Sequence, residues 1–490
     1  MLVQLSPIDT GAQELGLCRG FVWELPQAAS PEGDALVGAL RQAVDGVVEK
    51  WRLLQGRPVW QAETRTWAID VPTDAPNESR YAFTTSCVDQ PYHETIGDSK
   101  PLEPISPSAP SGEVHPFVVA HFRHADAPCA MRQYAKTGRP LLSVHVVRFS
   151  DAVSLGISAP HGLFDGTGLA HVLSGISAEL RGDEWHAPPV LEANALSEAR
   201  LRLMSSDFAS LADDKVERPP VLRGWVPFSV TALLALLAQT LWDLWWHKDT
   251  LRYAFISRAA VDSLVAEVKK EVKAETEGKE WHFHDGDKAA RGFMTCSPVF
   301  NIRSLLAESS PDLAAQLTAH TGNAVSPYPF SPEPIPLAHL ASMSTGALAL
   351  LHRRTLAGCK TLPWLRDMLL AGEELTQGGR RPMLPQRDWP WAVDTERGTT
   401  RWIVSNHMSA FADLRIPRAA AGLRTEGEGP EDLPLLAYYR HVQAPLALNA
   451  TFALQLSERG LFVVASTRKA RWESLMKAID ALDRRVTRRG

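Results

Sequence analysis

Residues 141 to 181 carry two periodicities that only one local arrangement reconciles. Leu141 to Phe149 is an alternating apolar run, and Val153 to Ile157 is a second one. From Leu169 the spacing becomes helical, with Leu169, Val172, Leu173 and Ile176 on one face and a stop at Arg181-Gly182. A buried strand must therefore give way to a helix through Ser158-Ala159-Pro160-His161-Gly162-Leu163-Phe164-Asp165-Gly166-Thr167-Gly168, read as the loop between them. Three glycines keep the backbone bare around His161, so the ring is well placed to reach a substrate. A neutral imidazole takes a proton near pH 7 and returns it within the same cycle. Asp165 can hold a ring or a loop by accepting hydrogen bonds or pairing with an arginine, and Gly166 permits a turn that a side chain would obstruct. The His-x-x-x-Asp spacing does not identify a site unaided. The chain has 16 histidines, and a capped or otherwise satisfied loop residue is the commoner occupant of such a pair.

At 490 residues the chain exceeds a usual single core, which predicts two lobes of roughly 200 residues each. Its 45% hydrophobic and 22% charged residues supply apolar side chains enough for both and argue against extended disorder. A formal net charge of -5 gives no support to a nucleic-acid surface, which needs clustered positive charge. The basic end, Arg484 to Arg489, reads as a solvated helix terminus. Five cysteines, Cys18, Cys87, Cys129, Cys296 and Cys359, are too sparse and irregular for a disulfide scaffold or a zinc cluster, and they fit a reducing compartment. Met1 to Pro7 has neither a positive leader nor an extended apolar core, so a signal peptide is not expected and a cytoplasmic location is.

One stretch departs from the soluble pattern. Trp225 to Trp246 is about as long as a bilayer span, carries aromatic residues at both ends and holds one charge, Asp243. Pro227, Gln239 and Asp243 argue against a true span. The preferred reading is a buried or surface-packed helix, with an interfacial membrane contact as the alternative.

Leu15 to Leu25 reads as an opening strand ending at Pro26, followed by a helix with an apolar stripe from Leu36 to Trp51 and a stop at Gly56-Arg57-Pro58. Short strands are expected around Trp60, Trp67 and Phe83, then a Pro/Ser-rich loop at 101–116. Beyond the histidine loop, a helix is expected from Glu192 to Leu211, a strand over Arg252 to Ser257, and a helix through Val261, Leu264, Val265 and Val268. That order echoes residues 15 to 55 and suggests two lobes built alike, without visible tandem repetition. Phe300-Asn301-Ile302-Arg303 ends a strand, and Thr321 to Val325 enters another after a glycine turn. One helix is expected from Leu337 to Leu356. Thr400 to Val404 is strand-like and leads to Ser405-Asn406-His407. Leu446 to Leu456 and Gly460 to Ser466 form a hairpin, and a last helix runs from Arg471 to Arg484. The boundaries read from this pattern are an N-terminal lobe at 1–215, an apolar crossover at 216–250 and a C-terminal lobe at 251–490.

These residues together carry a resemblance. His161-Gly162-Leu163-Phe164-Asp165-Gly166 matches the His-x-x-x-Asp-Gly signature of the BAHD acyltransferases, CoA-dependent enzymes of plant and fungal secondary metabolism. Leu5 to Asp9, the helix ending Leu53 to Arg57, Pro140-Leu141, Asn301-Ile302-Arg303, Gly322-Asn323-Ala324 and the hairpin and helix at 450 to 480 are similar in order and approximate spacing. Only the histidine loop is specific by itself. The resemblance implies an α/β architecture of two chloramphenicol acetyltransferase-like lobes with a channel between them. Acyl-CoA is implied as co-substrate, with no permanently bound cofactor and no metal, and the protein is expected to be a monomer. His161 would be the general base, while Asp165 would point away from the reacting atoms and pair with Arg303 to support the loop.

Plant members carry an Asp-Phe-Gly-Trp-Gly motif near the C-terminus, whereas this chain has Ser405-Asn406-His407 and then Phe411 to Arg415. The departure points to a divergent, fungal-type member. Ser405 and Asn406 occupy a segment that reaches the channel in relatives and are candidate substrate-binding donors, with a plain strand-end cap as the alternative. His407 reads more simply as a surface or core ring. His282 and His284 share a strand face but have no third ligand nearby at metal-site spacing. There is no Gly-x-Ser-x-Gly elbow. Two rival functions stay open: a carrier-protein-dependent condensation domain, against which stands Pro160 where such domains carry a second histidine, and a non-catalytic ligand- or membrane-binding relative.

Overall fold

The structure is a computed structural model. It describes residues 1–6, 9, 12–26, 28, 30–63, 66–72, 80–95, 111–114, 119–188, 195–205, 225–226, 234, 238, 241–242, 245–246, 250–276, 292–327, 329–331, 333–377, 393–394, 399–406, 414–423, 431–443, 450–456 and 460–487. Expectations for His282, His284, His407, Phe411 to Asp413, most of the 101–116 loop and most of the 225–246 segment lie outside these residues.

The chain folds around two sheets. In the first, β1 (Gly16–Glu24), β2 (Ala82–Cys87), β3 (Ser143–Arg148) and β4 (Ala152–Pro160) are joined by a strand from late in the sequence, Leu435–Gln443. The spatial order is Leu435–Gln443, β1, β4, β3, β2, which puts β4 in the middle. Every residue of β4 is buried, as expected of a strand covered on both faces. It runs antiparallel to β1, with Gly16 opposite Pro160, and to β3, with Ser143 opposite Ser158. Helix α1 (Pro31–Lys50) packs its Leu36, Leu40, Val44 and Val47 stripe with α2 (Gly166–Arg181), whose buried face is Leu169, Val172, Leu173 and Ile176. These are the two stripes read from the sequence.

The second sheet is built from β5 (Thr250–Ser257), β6 (Phe293–Asn301), β7 (Thr399–Asn406), β8 (Ala450–Leu456) and β9 (Gly460–Thr467). Its order is Val325–Pro327, β6, β7, β8, β9, β5, Gly112–Val114. The predicted hairpin is the antiparallel pair of β8 and β9, and β6, β7 and β8 are mutually parallel. The two sheets thus exchange strands: Leu435–Gln443 completes the first, and Gly112–Val114 adds to the second. A core of Phe300, Ile302, Leu306, Leu317, Trp364 and Leu365 lies behind β6 and the short helix α3 (Arg303–Ser309).

Several local expectations are corrected. The helix expected over Leu337 to Leu356 is two helices, Leu337–Ser342 and Thr345–Cys359. Ser344 separates them because its Oγ accepts from Ala347 N at 3.1 Å and donates to Glu271 at 2.7 Å, a side-chain cap that restarts the helix. The helix expected from Glu192 to Leu211 is described over Ala195–Ser205. Helices Met131–Thr137 and Leu362–Gln377 were not anticipated. Within the apolar segment, Trp225–Val226 is not helical but pairs with Val393–Asp394 as a short ladder. Its helical residues Leu234, Leu241, Trp242 and Trp245 are more than half exposed, which excludes the buried form of the expected helix and not the surface form. An apolar run states that surface wants covering, not which element covers it. Among the described residues no helix is long and apolar enough to cross a membrane.

Candidate active site

The central strand β4 extends through Pro160, so the loop is shorter than the sequence suggests. His161 is the first residue beyond the strand, and α2 begins at Gly166. Leu163 N and Phe164 N both donate to Pro160 O, at 3.1 and 3.3 Å, closing the chain into a tight turn. Gly162 is required there, since a Cβ would lie 2.6 Å from Met131 Cγ and 3.1 Å from Gln13 Cα. Both backbone groups of His161 are engaged: its N donates to Leu15 O at 2.9 Å, and its O accepts from Asn323 Nδ2 at 2.6 Å. The residue itself is only half-buried. A ring held from both ends of its own backbone, with part of the residue open, has the makings of a positioned acid-base group.

Asp165 caps α2. Its Oδ1 accepts from Thr167 N at 2.9 Å and Gly168 N at 3.0 Å, which satisfies two of the helix's free donors. Its Oδ2 meets Arg303 Nη2 at 2.9 Å and Ala324 N at 3.4 Å. The Asp165 to Arg303 ion pair implied by the resemblance is therefore formed. Arg303 also donates from Nε to His320 O at 2.8 Å and from Nη2 to Gly322 O at 2.6 Å. One guanidinium thus fastens the 320–324 turn to the carboxylate that starts α2. Gly166 contributes through its carbonyl, which accepts from Arg19 Nη2 at 2.7 Å.

The same turn is gripped by residues to which the sequence assigned no role. Asp9 Oδ1 accepts from Asn323 N at 2.6 Å, and its Oδ2 accepts from Ser6 N and Ser6 Oγ, both at 2.8 Å. Burial pushes the Asp9 carboxyl up to about 6, against the pull of its Ser6 and Asn323 hydrogen bonds. His320 is driven the other way, down to about 4, by burial and then by the Arg303 charge. His171 on α2 is also lowered, first by desolvation and next by Arg303. Asp9 and Asn323 fall within stretches quoted for the resemblance, and that was the only signal available for them.

Ser405 and Asn406 end β7, with Ser405 opposite Val299 of β6 in parallel register and opposite Phe452 of β8. They lie at the same end of the sheet as the turn into Arg303, where parallel strands present their carboxyl ends. Ser405 is buried and Asn406 exposed. The structure brings Asp165, Arg303 and, through Asn323, His161 together around the 320–324 turn, while Gly166 bonds to Arg19 and Ser405 and Asn406 stand at the end of β7. Among the described residues no group of His, Cys, Asp and Glu could hold a metal ion.

No family model matches the sequence. Acetyltransferase adrJ of Penicillium roqueforti is 32% identical over 155 residues, which is 30% of this chain and 30% of that protein. Transcriptional regulator calD of Penicillium decumbens is 26% identical over 191 residues, 38% of this chain and 36% of that protein. The chain spans less than half the length of the curated relatives it matches. The solved structure of F. sporotrichioides TRI101, complexed with Coenzyme A and T-2, superposes with a TM-score of 0.57 at 12% identity, covering 97% of this chain and 96% of that one. At that identity the likeness is one of fold, and it runs through both sheets. The two-lobed, chloramphenicol acetyltransferase-like α/β architecture expected from the resemblance is the fold of the chain.

Proposed function

We propose that the protein moves an acyl group from a CoA thioester to a hydroxyl or amine of a small, secondary-metabolite acceptor, as a divergent fungal-type BAHD acyltransferase. The observation that carries this reading is His161: it stands one residue past a fully buried central strand, fixed through both backbone groups, inside the family's signature, on a fold shared with TRI101 complexed with Coenzyme A. His161 removes the acceptor's proton as its oxygen or nitrogen attacks the thioester carbonyl. The tetrahedral adduct then collapses, the carbon-sulfur bond breaks, and the imidazolium returns the proton to the departing CoA sulfur. Asp165 takes no part in that transfer. Its two oxygens are committed to Thr167, Gly168, Arg303 and Ala324, so it shapes the loop. Ser405 and Asn406 are proposed to meet substrate from the end of β7.

The test is thiol release from acetyl-CoA with a panel of acceptor alcohols and amines. His161→Ala should lower turnover by about 100- to 10,000-fold with its melting temperature unchanged. Near-normal turnover in the variant would remove the base assignment. Failure of every acceptor with acetyl- and malonyl-CoA in the unaltered protein would favour the non-catalytic reading. A net charge of -5 gives no support to a nucleic-acid surface.

A second, compatible reading concerns location. Leu234, Leu241, Trp242, Trp245 and Trp246 are 53 to 85% exposed, and Trp246 N donates to Trp242 O at 2.8 Å, which puts those two rings on one face. Trp242 and Trp246 stack with ring centroids 5.2 Å apart. Indoles suit the headgroup level of a bilayer, and Arg223 and Lys248 flank the segment in sequence. The face is proposed to rest on a lipid surface. Flotation with phosphatidylcholine–phosphatidylserine vesicles should carry the protein upward, and a Trp242, Trp245 and Trp246→Ser triple variant should stay below. Equal behaviour of the two would reject the contact.

A further inference from the structure

We propose that Asn323 and Asp9 are positioning residues: Asn323 carries the main-chain carbonyl of His161, and Asp9 holds Asn323, so the ring's place is set by the joint between the two sheets. This deepens the acyltransferase reading and rests on it for the role of His161.

The chain of contacts is continuous and buried. Ser6, Asp9 and Asn323 are each at most 2% exposed. Ser6 N and Oγ orient one oxygen of Asp9, Asp9 presents the other to Asn323 N, and Asn323 Nδ2 reaches His161 O at 2.6 Å. The bonds to the Asp9 carboxylate are charge-assisted and hold Asn323 firmly, and the neutral Asn323 to His161 bond passes that placement on. The turn is fixed at every step: Arg303 binds the carbonyls of His320 and Gly322, Asp9 binds the amide of Asn323, Asp165 faces the amide of Ala324, and Ile302 N donates to Ala324 O at 2.9 Å. Gly322 lets Asp9 and His320 come close, since a Cβ there would stand 2.7 Å from both Asp9 Oδ1 and His320 Nε2. The N-terminal segment, the histidine turn and the C-terminal sheet therefore share one clasp. A base that moves by about 1 Å can lose about 100-fold in rate, so the clasp acts on turnover through His161 without touching substrate.

Three variants test it. Asn323→Ala removes the donor, Asn323→Asp keeps the shape but turns that donor into an acceptor, and Asp9→Asn places an amide where two donors already point. Turnover and KM are measured with acetyl-CoA, and the reactivity of His161 toward diethyl pyrocarbonate is followed by peptide mass spectrometry across pH 5 to 9. Each folded variant should lose at least about 10-fold in kcat with KM for acetyl-CoA within about twofold, and the His161 labelling profile should shift. Asn323→Asp should lose more than Asn323→Ala. If Asn323→Ala does not fold, the shape-preserving Asn323→Asp and Asp9→Asn carry the test. Unchanged kcat and unchanged His161 labelling in folded variants would overturn the proposal. If the unaltered protein turns over no thioester, the functional reading fails, yet labelling still decides whether Asn323 and Asp9 set the state of His161.

Discussion

Arg303 meets Asp165 across the joint between the two sheets with Nη2 2.9 Å from Oδ2, and the two side chains are 6% and 4% exposed. Removing one partner of such a pair strands the other charge out of water, which costs about 3–5 kcal/mol. Asp165→Asn keeps an oxygen for Thr167 and Gly168 but withdraws the charge facing Arg303. It should lower the unfolding free energy by about that amount and depress turnover with it. Asp165→Ala loses the cap as well and should cost about 1 kcal/mol more. Urea unfolding of the two variants checks both the size and the order.

A glycine at the start of α2 makes this closeness tolerable. A Cβ on Gly168 would sit 2.0 Å from Thr321 O and 2.9 Å from the Phe164 ring. The obstacle is a carbonyl already fixed by its neighbours, so the helix and not the turn would have to move. Gly168→Ala should destabilise by about 3 kcal/mol, the upper end for overpacking, and lower acyl transfer. Gly38, on the exposed side of α1, meets nothing within 4 Å, and Gly38→Ala should instead add about 0.5–1 kcal/mol. Thermal melts of the pair distinguish a steric requirement at 168 from a general effect of glycine replacement.

The local elements around His161 are legible because the apolar period changes on either side of one short loop, and periodicity is a local property. Contacts between distant segments are a different matter. Nothing in the spacing of Asp165 or Arg303 says that they touch; the pairing comes from resemblance alone. Asn323 reads as a turn residue, and its hold on His161 depends on how two halves of the chain dock. The strand exchange is hidden for a similar reason: no strand is expected from the sequence over Leu435–Gln443, where one forms, and a local pattern does not state which sheet edge receives a strand. Ser344 inside an apolar helical pattern looks tolerable until its side chain caps the following turn. The exposure of Trp242, Trp245 and Trp246 excludes the buried form of the helix expected there and not the surface form, because hydrophobicity names a preference and not a partner.

The clasp also predicts a pH dependence in which two buried groups oppose each other. Asp9 moves from its ordinary 3.8 to about 6 in the folded protein, so folding favours its protonated form. Its contribution to stability is present below pH 4 and is lost as the pH rises to about 6. His320 moves from 6.5 to about 4, so its contribution is present above pH 6.5 and is lost as the pH falls toward 4. Across the interval between, the two slopes have opposite sign and partly cancel. The charges facing them are those of Asp165 and Arg303, which lie 2.9 Å apart. Asp9→Asn leaves the histidine slope uncompensated, so its stability should fall more steeply than that of the unaltered protein between pH 7 and pH 4.5. His320→Gln leaves the aspartate slope and should fall less steeply. Urea midpoints at those two pH values for the three proteins measure the slopes directly. Parallel slopes in all three would mean that neither group titrates differently in the folded and unfolded chain.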